Sequence, residues 1–96
     1  MILEHALLHI KPGQGKAFEA SFAEARKIIE AAKGFRKIEV RACIEVPDRY
    51  LLLVWWDSVD DHMVGFRQSP ALAQWRALTA PFYVQLPEVT HFEAPI

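Results

Sequence analysis

Cysteine is nearly missing. Cys43 is the one thiol in 96 residues, which excludes an internal disulfide and a cysteine-rich metal site. Glycine is scarce too, with four residues, and none belongs to a phosphate-cradling loop. Pro12-Gly13-Gln14-Gly15-Lys16 follows a strand pattern but fits no dinucleotide motif, and neither Cys-x-x-Cys nor His-Glu-x-x-His occurs. Charge of one sign is absent as well: 11 basic against 12 acidic side chains leave a net charge of -1. That is no electrostatic footprint for nucleic acid, and no basic run marks a membrane surface. The longest apolar run, Tyr50 to Trp56, is far shorter than the ~20 residues of a bilayer span. Met1-Ile2-Leu3-Glu4-His5 lacks the basic region of a secretory signal. The expectation is a cytoplasmic protein with no nucleic-acid or membrane partner.

What is present in excess is apolar surface. Hydrophobic residues make up 52% of the chain, against about 45–50% in soluble domains. Residues 1–96 are one domain's worth of chain, with room for one core. A chain this small, without disulfide staples, must rely on packing, which favours oligomerisation. Some of its apolar area is therefore expected against a second copy or in a pocket.

The pattern along the chain predicts six elements. Ile2 to Ile10 reads as a strand, broken by Lys11-Pro12-Gly13. Lys16 to Lys33 has a helical period, with Phe18, Phe22, Ala25, Ile29 and Ala32 on one stripe and Gly34 as the stop. Phe35 to Val46 alternates, placing Ile38, Val40, Ala42, Ile44 and Val46 on one face. Pro47-Asp48-Arg49 turns the chain into Tyr50–Trp56, apolar on both faces and so a central strand. Ser58 is a good N-cap for a second helix to about Gln68, with Val59, Met63 and Phe66 as its buried stripe. Pro70 opens a further short helix, Ala71 to Thr79, and Val89 to Glu93 is the last strand.

Strand-helix-strand-strand-helix-strand predicts an α+β, ferredoxin-like βαββαβ fold. Right-handed crossovers put both helices on one face of a four-stranded antiparallel sheet. The other face would expose large apolar groups in a monomer. Pairing two sheets into a homodimer, an α/β barrel, is the simplest remedy.

Chemistry must come from few residues. Cys43 lies mid-strand without a neighbouring base and reads as an inert thiol. His5 and His9 share one side of the first strand, but residues four apart in a strand are about 13 Å from each other, too far for one ion; they read as polar lining of the dimer-side face, and no metal site is expected. His62 borders the buried stripe of the second helix, one turn before Phe66, and Arg67 lies near the opposite border. His62 either reaches a cavity as a base titrating near neutral pH or is a boundary histidine bonded to a carbonyl. His91 would share that space if its alternation faces the helices, which pattern alone leaves open. Trp55, Trp56, Trp75, Phe82 and Tyr83 are core packing, or Trp75 and Tyr83 wall a flat pocket for a planar ligand.

Several segments together resemble the antibiotic biosynthesis monooxygenase family. They are Ile2-Leu3-Glu4-His5-Ala6 into Lys11-Pro12-Gly13-Gln14, Arg49 to Val54, Trp56-Asp57-Ser58 into Asp61-His62, Gly65-Phe66-Arg67-Gln68-Ser69, and Trp75 through Phe82-Tyr83 to Val89-Thr90-His91-Phe92. The resemblance implies a dimeric α/β barrel in a catalytically mixed group. Haem-degrading members of that family use a first-strand Asn and a helix His; here Ala6 and Trp75-Arg76 stand in those regions. Quinol-oxygenating members use a pocket Asn, Trp and Tyr; this chain contains no Asn, while Trp75 and Tyr83 supply the other two types. The resemblance thus implies a monooxygenase needing no cofactor, acting on a small aromatic, phenolic or quinol-type molecule. His62 and His91 are the catalytic candidates, with Phe66, Arg67, Trp75 and Tyr83 binding substrate. The alternative is a non-catalytic, stress-response type module that binds a small molecule.

Overall fold

The computed structural model describes residues 1–96. Strand β1 (Ile2–His9) leads through Lys11–Gln14 into helix α1 (Gly15–Glu30), then strands β2 (Phe35–Ala42) and β3 (Arg49–Trp56). A π-helical segment (Asp61–Phe66), helix α2 (Ala71–Thr79), a 3₁₀ turn (Ala80–Phe82) and strand β4 (Val89–Phe92) complete the chain. The sheet order is β2-β3-β1-β4, with every neighbouring pair antiparallel. This is the ferredoxin-like α+β arrangement expected from the element order.

The core lies between the helices and one face of the sheet. Phe18, Phe22, Ala25 and Ile29 of α1 are buried, at the predicted three- and four-residue steps. They meet Ala6 and Leu8 of β1 and Tyr50, Leu52, Val54 and Trp56 of β3. Strict alternation leaves His5, Leu7 and His9 on the opposite, open face, together with Leu51, Leu53 and Trp55. His5 meets Phe92 edge-on there, with ring centroids 5.7 Å apart.

Three local expectations are corrected. Helix α1 ends at Glu30, not Lys33, and Lys27 is the cation in its last turn. The chain still reverses at Gly34, whose φ is +82°; a side chain there would also collide with the Asp61 carboxylate. Strand β2 ends at Ala42, so Ile44, expected on the inner face, is almost fully exposed. The reason is the connection: Cys43 N–H bonds Arg49 C=O at 2.8 Å, and Asp48 takes a positive φ of 60°, closing the hairpin early.

The third correction bears on the site. Ser58 does cap the segment that follows: its Oγ accepts from Asp61 N–H at 3.1 Å and donates to Asp61 Oδ2 at 3.0 Å. Yet Val59 and Met63, expected in the buried stripe, are 39% and 37% exposed, while His62 is only 4% exposed. The backbone makes a wide turn, with Arg67 N–H bonding His62 C=O at 2.9 Å, five residues back. Polar groups beneath this turn offer the imidazole hydrogen bonds that Met63 could not use, so the histidine turns inward and the methionine outward.

Candidate functional site

Glu4 is the polar group beneath that turn. It sits on β1 in the same alternation as Ala6 and Leu8 and is 4% exposed. The register pairs it with Val54 of β3 on one side and His91 of β4 on the other. His91 therefore shares the helix-facing side of the sheet, which settles the direction that pattern left open.

These residues form a connected line. Trp56 Nε1–H donates to Glu4 Oε1 at 2.9 Å, and His62 Nε2 stands 3.3 Å from the same oxygen. His62 Nδ1 lies 2.9 Å from His91 Nε2. Which imidazole donates in this bond is set by their tautomers. The indole of Trp56 stacks on the His62 ring, 5.2 Å between centroids at 21°. It thus fixes the imidazole plane as well as the carboxyl. Glu4 Oε2 has no hydrogen-bond partner in the protein.

Burial sets the protonation of this line. Desolvation pushes the Glu4 carboxyl up to about 7, against the Trp56 hydrogen bond and the Arg67 charge, which pull it down. Desolvation lowers His62 to about 4, helped by His91 and Arg67. His91 is also lowered, by burial first and then by Arg67. Near neutral pH both imidazoles are neutral, and Glu4 is poised between acid and carboxylate.

Beside the line lies a cavity of about 300 Å³, at the lower end of small-molecule site volumes. Glu4 and His62 line it at one side; Phe66, Trp75, Tyr83 and Arg67 are among its other walls. Phe66 and Trp75, both in its wall, meet nearly at right angles, with centroids 6.3 Å apart. Thr79 secures this end of α2 by donating from Oγ1 to Trp75 C=O at 3.0 Å.

Of the residues singled out in the sequence, His62, Phe66, Arg67, Trp75 and Tyr83 all line this cavity, and His91 reaches it through His62. Arg67 was expected at the far border of the helix from His62. The five-residue turn brings it round to the same side, where its charge is felt by Glu4, His62 and His91. His5 and His9 stay on the open face, away from the site. No group of three or more His, Cys, Asp or Glu side chains is placed to hold a metal ion.

Sequence reasoning missed Glu4 and the role of Trp56. The signal for Glu4 was present: a lone acid at an inward position of a strand whose other inward residues are Ala6 and Leu8. A carboxyl in that place must be buried with partners, and buried carboxyls gather at functional sites.

A model of the antibiotic biosynthesis monooxygenase family matches residues 1–78. The uncharacterized protein YczJ of Bacillus subtilis (strain 168) is 42% identical over 93 residues, covering 97% of this chain and 98% of YczJ. A solved structure from Bordetella bronchiseptica, named for the same monooxygenase family, is 38% identical. It superposes with a TM-score of 0.94 over 99% of this chain and 97% of its own. SnoaB, a cofactor-independent oxygenase from Streptomyces nogalater, has the same fold at 15% identity. Its TM-score is 0.82, over 97% of this chain and 91% of SnoaB. No helix is long and apolar enough to cross a membrane. By the extent of the family match and the two close relatives, this chain belongs to the antibiotic biosynthesis monooxygenase family.

Proposed function

We propose that this protein is a monooxygenase that oxidises a small aromatic, phenolic or quinol-type substrate without metal or flavin. The observation that carries the reading is the poised carboxyl–imidazole pair, Glu4 and His62, facing a cavity walled by Phe66, Trp75 and Tyr83. The fold it shares with SnoaB, a cofactor-independent oxygenase, supports it.

The aromatic walls hold the ring, with its hydroxyl toward Glu4 and His62. Glu4 Oε2, free of protein partners, accepts the phenolic proton. His62 and His91 fix the carboxyl and share the hydrogen-bonded charge. The phenolate is electron-rich enough to pass one electron to O₂, and the resulting pair of radicals combines at a ring carbon as a hydroperoxide. Loss of water leaves the quinone: phenol plus O₂ becomes quinone plus water. One oxygen atom enters the product and the other leaves as water, with the substrate itself as the reductant.

Two copies pair through the open sheet face to complete a barrel, covering Leu51, Leu53 and Trp55. This accounts for the surplus of apolar residues in the chain.

The test is oxygen consumption by purified, folded dimer across a panel of hydroxylated naphthalenes and anthracenes. The reading predicts uptake of one O₂ per product molecule. Binding without any change in ligand mass would instead favour a non-catalytic, small-molecule-binding module.

A further inference from the structure

Two arginines open on the cavity, and neither has an acidic partner. Arg67, half-buried, directly follows the π-helical segment; Arg76, exposed, lies on α2. Both line the cavity. Arg26, Arg36 and Arg41 each form an ion pair with an Asp or Glu; Arg49, Arg67 and Arg76 form none, and of these three Arg67 and Arg76 line this cavity. The nearest interaction of the Arg67 guanidinium is with the Met63 sulfur, 3.9 Å away, a weak acceptor that neutralises nothing.

The cavity wall supplies no counter-charge of its own. Glu4 is its only carboxyl, and burial holds that group up at about 7. At pH 6 the wall carries two guanidiniums against a mostly neutral acid and the neutral imidazole of His62. The charge of Arg67 reaches inward far enough to depress both His62 and His91. Beside an apolar, aromatic cavity such a charge acts more strongly than in bulk water. A guanidinium fork also matches a carboxylate in shape.

We propose that the cavity selects hydroxyaromatic acids, with the carboxylate held by Arg67 and Arg76, the ring among Phe66, Trp75 and Tyr83, and the hydroxyl toward Glu4 and His62. This rests on the reading of the cavity as an aromatic-substrate site and adds the acidic group to that substrate. The groups then have different tasks: the arginines bind an anion already present, and Glu4 creates a second one.

The test is equilibrium binding of 5-hydroxy-1-naphthoate, whose hydroxyl and carboxylate lie on opposite rings, and of 1-naphthol to the full chain at pH 6 and low ionic strength. It uses the wild type, Arg67→Gln and Arg76→Gln. Wild type binds the naphthoate at least about tenfold more tightly than the naphthol, as expected for a charge-assisted contact. Each substitution weakens naphthoate binding several-fold and leaves naphthol binding nearly unchanged. Arg76 is exposed, so its variant and the two-ligand comparison in wild type carry the test even if Arg67→Gln folds poorly. Naphthol binding as tight as naphthoate binding overturns the acid-selective claim and leaves the aromatic site standing. The same claim falls if naphthoate binding is unchanged in Arg76→Gln and in folded Arg67→Gln. Failure of the folded wild type to bind either compound overturns both readings.

Discussion

Glu4 of β1 and His62 of the π-helical segment meet across the helix–sheet boundary, Oε1 to Nε2 at 3.3 Å, each about 5% exposed at the side chain. Burial shifts the two in opposite senses, the carboxyl up and the imidazole down.

Replacing Glu4 with Gln keeps the size of the side chain and an oxygen to accept from Trp56. It removes the proton acceptor. Turnover should fall by a factor on the order of 10²–10⁴, while circular dichroism and the dimer stay unchanged. Steady-state kinetics at pH 7.5 checks this.

The pair also shapes stability against pH. Glu4 is raised from 4.5 to about 7 in the folded state, so the fold binds its proton more tightly than the unfolded chain does. That contribution is fully present below about 4.5 and is lost as pH rises through about 7. His62 is lowered from 6.5 to about 4. Its contribution is present above 6.5 and is lost as pH falls through about 4. The two slopes oppose each other between pH 4.5 and 6.5, which flattens the wild-type profile there. Urea midpoints of Glu4→Gln should therefore rise with pH across this window more steeply than those of wild type. Midpoints of His62→Gln should fall.

Much of this architecture was legible in advance. The apolar steps Phe18, Phe22, Ala25 and Ile29 place α1 because only one face of a helix can meet the sheet. Ser58 marks the start of the next turn, and Ala71–Thr79 is helical between Pro70 and Pro81, as read from the prolines. The inward turn of His62 was not legible, because a 3.6-residue period assigns Met63 to the core. Only the wide backbone turn and the partners on β1 and β4, remote in sequence, reverse that choice. The inward place of Glu4 was readable from the alternation of β1, but its partners were not: Trp56 and His62 come from other elements.

Trp56→Phe keeps most of the ring packing but removes the Nε1–H. The lost hydrogen bond to a buried carboxyl costs about 1–3 kcal/mol. The Trp56 bond is the first influence that lowers Glu4, so without it the carboxyl titrates at still higher pH. The acid limb of the kcat/KM profile should shift toward alkaline pH relative to wild type.

Ser58→Ala deprives Asp61 N–H of its acceptor at the start of the turn that carries His62. About 1 kcal/mol of stability should be lost, read as a lower urea midpoint. Turnover should fall less than in Glu4→Gln, because the chemistry is untouched.

Leu53 lies on the open sheet face between Leu51 and Trp55 of the same strand. A charge there, as in Leu53→Glu, should oppose the sheet-to-sheet pairing. Sedimentation velocity should show a monomer where wild type sediments as a dimer.

The proposed reaction has the Glu4–His62 cavity use O₂ directly. The most direct measurement incubates metal-stripped, flavin-free protein with 5-hydroxy-1-naphthoate and 1-naphthol under ¹⁸O₂ and determines the masses of the products. A quinone-type product that has gained one ¹⁸O atom is expected with wild type and is lost in Glu4→Gln. Ligand that binds and returns at its original mass would contradict that reaction.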